Sequence, residues 1–161
     1  MSNIVLKINS VEEMQDLAYT LTNSFTPGLT VALNGDLGAG KTTFTKGIGR
    51  ALGIKRVINS PTFTIMKMYE AQNKVNGIEA LYHFDVYRLD DSMGDFELEE
   101  YFYLNGVSII EWATIIDDIL PSDAWYIDIY RLSDTTRKVE IKNIEESLVN
   151  KLGEKYEVIH G

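Results

Sequence analysis

The sequence predicts an α/β domain in which a mixed, centrally parallel sheet is flanked by helices. Three observations carry this. Two short apolar runs, Leu29 to Leu33 and Val107 to Ile110, read as strands buried on both faces. The first runs into a glycine-rich loop that opens a helical pattern, the strand–loop–helix order of a phosphate-binding unit. The 161 residues suit a single domain, 1–161, large enough to bury about 70% of the surface an unfolded chain exposes.

The elements follow in order. Ile4 to Ile8 alternate as a short strand. Ser10 and Glu13 form the S-x-x-E capping box of a helix start, and Val11, Met14, Leu17, Ala18, Leu21 and Phe25 recur behind it at helical spacing. Pro27 and Gly28 end that helix. After the glycine-rich loop a second helix closes at Gly53, a natural residue just past a helix end. Thr62 to Tyr69 and Ile78 to Val86 are rich in β-branched and aromatic residues around Asn76-Gly77, the pattern of a hairpin. Asp90 to Tyr103 reads as an acidic amphipathic helix, and Thr114 to Leu120 as a short helix stopped by Pro121. Ala124 to Leu132 and Lys138 to Ile144 are strands around a polar turn, and the tail from Glu145 is a final helix. No repeat, low-complexity tract or linker divides the chain.

Composition narrows the function. Hydrophobic residues at 45% and charged residues at 24% exclude disorder over most of the length. Acids outnumber bases 24 to 15, a net charge of −9, so the overall field repels polyanions. Neither DNA nor a membrane is an expected partner, and any nucleic acid served is held by something else. The absence of cysteine excludes disulfides, thiolate metal sites and a Cys nucleophile, and fits a reducing cytoplasm, the expected location. Met1 to Ser10 carry no apolar core or cleavage site of a secretory signal, and no apolar run approaches the ~20 residues of a membrane span.

The strongest chemical signal is Gly35-Asp36-Leu37-Gly38-Ala39-Gly40-Lys41-Thr42, which satisfies G-x-x-x-x-G-K-[ST]. Glycines let backbone N–H groups approach phosphate oxygens, and the helix N-terminus adds partial positive charge. Asp36 to Thr43 are therefore the expected phosphate cradle, with Lys41 neutralising the β- and γ-phosphates and Thr42 ligating Mg²⁺. A metal also needs a carboxylate. Asp85 follows the apolar stretch Leu81 to Phe84, and Glu111 directly follows Val107 to Ile110. A carboxylate at a strand's C-terminal end is where such a fold carries out metal and water chemistry, and both qualify, directly or through water. Ser60-Pro61-Thr62 lies in a loop where a γ-phosphate sensor would sit, making Thr62 a candidate contact; a Pro-fixed turn opening a strand is the plainer reading. Trp112 would pack near the nucleotide or in the core. His83, flanked by aromatic residues, reads as a satisfied structural histidine rather than a base.

Other classes are excluded by absence. The glycines at 47, 49 and 53 have the wrong spacing for a dinucleotide fingerprint, there is no H-E-x-x-H, and no N-K-x-D follows Asp91-Ser92-Met93-Gly94 as a Ras-like GTPase requires.

Taken together, Gly35 to Phe44, Ser60-Pro61-Thr62-Phe63-Thr64, His83-Phe84-Asp85-Val86-Tyr87-Arg88-Leu89 and Glu111-Trp112 resemble the TsaE family, the P-loop ATPase subunit of bacterial tRNA threonylcarbamoyladenosine synthesis. The resemblance runs from about Ser10 to Ile141. It implies a P-loop NTPase-like fold, ATP and Mg²⁺ as ligands, and Lys41, Asp85 and Glu111 as catalytic positions, with Thr42, Asp85 and Glu111 near the metal. It also brings Arg137 toward the nucleotide. It further implies two partner subunits, TsaD and TsaB, a transfer step performed by TsaD, and ATP hydrolysis that resets the assembly, so that tRNA is met only through partners. The rival readings are a small-molecule kinase on the same P-loop, against which the lack of an Arg-rich lid counts, and a nucleotide-sensing module without turnover.

Overall fold

The computed structural model describes residues 1–36, 38–59, 66–85, 105–111 and 119–160. The chain runs through β1 (Ser2–Ile8), α1 (Val11–Thr22), β2 (Thr30–Gly35), α2 (Lys41–Ala51), β3 (Met66–Glu70), β4 (Ala80–Asp85), β5 (Gly106–Glu111), β6 (Trp125–Arg131), β7 (Arg137–Ile144), α3 (Glu146–Lys155) and β8 (Glu157–Val158). The strands form one sheet in the order β3-β4-β5-β2-β6-β7-β1-β8. The inner four, β4-β5-β2-β6, are parallel, and the pairs outside them are antiparallel. This is the mixed, centrally parallel sheet of a P-loop NTPase-like α/β fold.

The predicted elements that fall on described residues are present with shifted ends. The capping box forms: Glu13 N–H donates to Ser10 Oγ at 3.0 Å, and the Glu13 carboxylate accepts from Asn9 N–H at 3.1 Å. α1 stops at Thr22, three residues before Phe25, which instead packs edge-on against Trp125 with ring centroids 5.3 Å apart. The hairpin strand expected from Thr62 is described only from Met66. The helix read over 90–103, and all but Ile119 and Leu120 of the one read over 114–120, lie outside the described residues. One element went unread, β8, which pairs Val158 with Leu6 at the sheet edge. Two residues are too few to show a period.

Parallel strands buried on both faces explain the apolar runs. On one face Val31, Leu33, Leu81, Val107, Ile109, Ile127 and Ile129 join a core with α1 and α2; on the other Ala32, Tyr82, Phe84 and Ile110 form a smaller cluster. Burying each large aliphatic side chain stabilises by about 1.5–3 kcal/mol before entropy is counted. The two helices approach closely at Gly47, where a Cβ would stand 2.6 Å from the Gln15 carbonyl oxygen and 2.8 Å from Ala18 Cβ. No larger residue fits there without moving backbone.

At the far end, α3 is tied to α1. The buried Tyr156 hydroxyl donates to Asp16 Oδ2 at 2.6 Å and lies 3.0 Å from Thr20 Oγ1, while Lys155 Nζ sits 3.2 Å from Asp16. The Tyr156 bond and then Lys155 and Arg50 hold the Asp16 carboxyl below its ordinary range, against a smaller opposing effect of burial. A carboxylate lowered on folding contributes stability above its unfolded pKa of about 3.9, and that contribution is lost as pH falls through the folded value. Tyr156→Phe is expected to cost about 0.5–1 kcal/mol at pH 7, toward the lower end because Asp16 is half exposed. The difference from wild type should shrink at a second, acidic pH below the ordinary carboxylate range, as Asp16 protonates. Urea unfolding of both proteins at the two pH values checks this; a pH-independent difference would dissociate Tyr156 from Asp16.

Candidate functional site

Three parallel strands end at one edge of the sheet. β4 and β5 run in register to Asp85 opposite Glu111, and β2, paired on the other side of β5, places Leu33 opposite Glu111 before turning into the glycine-rich loop. Ligands in open α/β sheets collect outside such carboxyl ends. The two carboxylates chosen from sequence are thus the last residues of adjacent strands.

The loop is built for an anion. Ala39 N–H bonds the Asp36 carbonyl at 2.9 Å, closing a turn, and Gly40 adopts φ +119°, where a side chain would strain the backbone. Gly40 also occupies the N-cap of α2, so no side chain there satisfies the helix's leading N–H groups, and no acid lies in the first turn. Those donors and the helix dipole remain available to phosphate. Thr42 and Thr43 are half-buried in that turn.

Lys41, the first residue of α2, is buried, with its Nζ 3.6 Å from Glu111 Oε1. Glu111 is 3% exposed, and its Oε2 accepts from His83 Nε2 at 2.5 Å. His83 is wholly buried, and its Nδ1 has no hydrogen-bond partner among the described residues. Because the carboxylate is the acceptor, the ring proton sits on Nε2. Strand alternation explains the meeting: Leu81, His83 and Asp85 share one face of β4, Ile109 and Glu111 share that face of β5, and α2 covers it. Sequence reading took His83 for a satisfied structural histidine rather than a base, and the structure gives it Glu111 as its partner. The signal was available in the two-residue spacing between His83 and Asp85.

Arg137 reaches the loop as a brace. Its Nε donates to the Ala39 carbonyl at 2.8 Å and Nη2 to the Gly38 carbonyl at 3.4 Å, while Nη1 donates to Ser133 and Thr136 carbonyls at 2.8 and 3.0 Å. One guanidinium thus pins the 133–136 turn to the loop. Beside it opens a cleft of about 350 Å³, bounded by Asn9, Ser10 and Met14 at the start of α1, by Ala39 and Thr43, and by Arg137. Nothing in the sequence marks the α1 residues as cleft-lining, because their adjacency to the loop is purely tertiary. Leu37, Thr62, Trp112 and the Ser60 to Thr64 segment lie outside the described residues. Among the described residues no three His, Asp or Glu side chains converge to hold a metal unaided, and no helix is long and apolar enough to cross a membrane.

Comparison with known proteins converges on one family. The sequence model described as Threonylcarbamoyl adenosine biosynthesis protein TsaE matches residues 8–148. The chain is 48% identical over 129 residues to the tRNA threonylcarbamoyladenosine biosynthesis protein TsaE of Bacillus subtilis, covering 80% of this chain and 78% of that one. It is 36% identical over 150 residues to the protein of the same name from Rickettsia felis, covering 91% and 85%. The fold is similar to the crystal structure of Bacillus subtilis YdiB, with a TM-score of 0.75, 36% identity and 96% of each chain covered. With a family model matching residues 8–148 and relatives 36–48% identical over most of the chain, the protein belongs to the TsaE family.

Proposed function

We propose that this protein binds Mg-ATP at the glycine-rich loop and hydrolyses it, and that hydrolysis serves the formation of threonylcarbamoyladenosine in tRNA through the partner subunits TsaD and TsaB. The observation that carries the chemical part is Lys41 beside Glu111, 3.6 Å apart, at the head of an uncapped helix. The biological part is supported by family membership and by the names of the relatives.

The residues fit the ligands. Backbone N–H groups from Asp36 to Thr43 and Lys41 take the phosphates. The cleft beside α1 takes the nucleoside, its volume lying within the range of small-molecule sites. Thr42, Asp85 and Glu111 would hold the metal. Mg²⁺ binds through one or two carboxylates plus phosphate oxygens and keeps several waters, a demand that Asp85 and Glu111 would meet. When bound, the ion neutralises charge developing on the phosphates. Lys41 exchanges Glu111 for phosphate oxygen when nucleotide arrives, and Glu111 remains held through His83. From there Glu111 orients a water for in-line attack on the γ-phosphorus; the bond to the β,γ-bridging oxygen breaks, leaving ADP and inorganic phosphate. His83 is a positioning residue: it touches Glu111 and not the reacting atoms.

The alternatives fare less well. Neither a kinase acceptor pocket nor a second basic cluster faces the cleft among the described residues.

Two outcomes test the reading. Lys41→Ala should lower phosphate release, measured with TsaB and TsaD homologues present, at least about 100-fold while the circular-dichroism spectrum stays native; unchanged turnover would overturn the assignment of the loop. His83→Leu should lower kcat about tenfold with KM for ATP nearly unchanged, and His83→Gln, which restores a donor near Nε2, should recover part of it. Equal losses in both variants would reduce His83 to a packing role.

A further inference from the structure

The glycine-rich loop leaves the sheet at the end of β2, and β6 and β7 hold that point from both faces. A Cβ at Gly35 would stand 2.8 Å from the Ile129 carbonyl oxygen, so the first residue of the loop lies directly against the β6 backbone. On the face shared with α1 and α2, Arg137 of β7 donates to the Ala39 and Gly38 carbonyls. On the opposite face stand Asn34 and Asp128, in register on β2 and β6. Alternation puts them there. Leu33, Ile127 and Ile129 belong to the core that packs α1, α2 and α3, so the residues between them on each strand face away from it.

Asn34 Nδ2 donates to Asp128 Oδ1 at 3.1 Å. The other oxygen, Asp128 Oδ2, lies 3.5 Å from Lys142 Nζ, and the same ammonium lies 3.4 Å from Glu140 Oε1. Both oxygens of Asp128 are thus engaged, and β7 orients the carboxylate that meets Asn34. Glu140 stands opposite Asp128 in the β6–β7 register, yet the two acids do different things. The Lys142–Glu140 pair is a solvated contact of a kind that contributes little. Asp128, at 18% side-chain exposure, turns one oxygen inward to an amide that adjoins the loop. Asn34 Oδ1 is buried and, among the described residues, has no hydrogen-bond partner. An apolar side chain of the same size would avoid that unmet acceptor. What it could not supply is the Nδ2 donor to Asp128.

We propose that Asp128 is a positioning residue for the phosphate loop: through Asn34 it fixes the end of β2, and with Arg137 on the other face it makes the β6–β7 hairpin a two-sided clamp on the loop. The proposal rests on the reading above that the loop binds nucleotide phosphates. The physical link is short. Backbone N–H groups serve an anion best when their directions are set before it arrives, and a displacement at the loop's root turns several of them together. Asn34 directly precedes Gly35, and a hydrogen bond to an ionised carboxylate is of the stronger kind. Arg137 fixes Gly38 and Ala39, whereas Asp128 fixes the residue from which the loop departs. Asp128 faces away from the side of the sheet that carries Glu111 and α2, so it acts on the loop and not on the reacting atoms.

The test compares the full wild-type chain with Asp128→Ala, Asp128→Asn, Asn34→Leu and Glu140→Gln. Measured are thermal stability, Mg-ADP affinity by calorimetry, kcat and KM for ATP with TsaB and TsaD homologues present, and hydrogen exchange of the loop amides without nucleotide. Asp128→Ala should weaken Mg-ADP binding and raise KM at least about fivefold, leave kcat within about twofold, and speed exchange in the loop. Asp128→Asn keeps an oxygen acceptor for Asn34 and should restore most of the affinity. Asn34→Leu removes the unmet oxygen, so it should melt no lower than wild type and yet bind Mg-ADP as weakly as Asp128→Ala. A residue acting through fold stability alone would move those two readouts together. Glu140→Gln should match wild type in affinity and exchange. Wild-type affinity and loop exchange in both Asp128→Ala and Asn34→Leu would overturn the positioning role and leave the functional reading standing. Equal losses of affinity in every variant, tracking their melting temperatures, would overturn it in favour of general sheet stability. Failure of wild type to bind Mg-ADP would overturn the functional reading, while loop exchange in the same variants still decides whether Asp128 holds the loop.

Discussion

Glu111 is held from two sides, by Lys41 at 3.6 Å and by His83 at 2.5 Å, at the point where three parallel strands stop. A carboxylate and an ammonium this deeply buried are costly: the desolvation penalty is several kcal/mol per ion and can exceed the attraction between them. Attraction and hydrogen bonds offset that cost only with good geometry, and the geometry comes from the sheet. Parallel register sets Glu111 beside Asp85 and opposite Leu33, and the turn after β2 delivers Lys41 to the same point. The rest of the core, from Val31 to Ile129, keeps those strand ends from moving relative to one another. A site of this kind depends on burial that does not itself make the site more stable.

Two buried polar atoms make the same point from the other direction. Among the described residues, His83 Nδ1 and Ser108 Oγ lie inside the parallel strands without a hydrogen-bond partner. Each such group costs about 1–3 kcal/mol. For His83 there is a reason on the same ring, the Nε2 bond to Glu111. An apolar residue at that position would pack better and leave Glu111 with Lys41 alone. Ser108 has no comparable reason; nothing in the structure explains it.

What could be read from sequence follows from where the signal is local. Gly35 to Thr42 are consecutive, so their chemistry is legible without a fold. Asp85 and Glu111 are legible because each ends an apolar run, and strand ends in an open sheet share an edge. His83 was legible as a satisfied structural histidine, but its partner was not, being 28 residues away and brought to it only by alternation along β4 and β5. Arg137 was placed near the loop by resemblance alone; its action as a brace on the Gly38 and Ala39 carbonyls depends on the antiparallel β6–β7 turn coming back over the loop. β8 was lost for lack of length.

The cleft also lies between two helix starts that use the same backbone physics to opposite ends. Each α-helix begins with N–H groups that lack an intrahelical partner and with a partial positive charge. At α1 these are answered internally: Ser10 accepts from Glu13 N–H, and Glu12 and Glu13 lie in the first turn. Such an end offers an anion little and repels it with two carboxylates. At α2 the cap is a glycine without a side chain, the first turn carries no acid, and Lys41 stands where α1 has Val11. The two starts line one cleft, so a polyphosphate entering it meets a steep gradient from the acidic to the cationic side. Under the proposed function that gradient would orient a nucleotide with its phosphates on α2 and the less charged nucleoside toward α1. It requires no base-specific contact, only that one helix caps itself and the other does not.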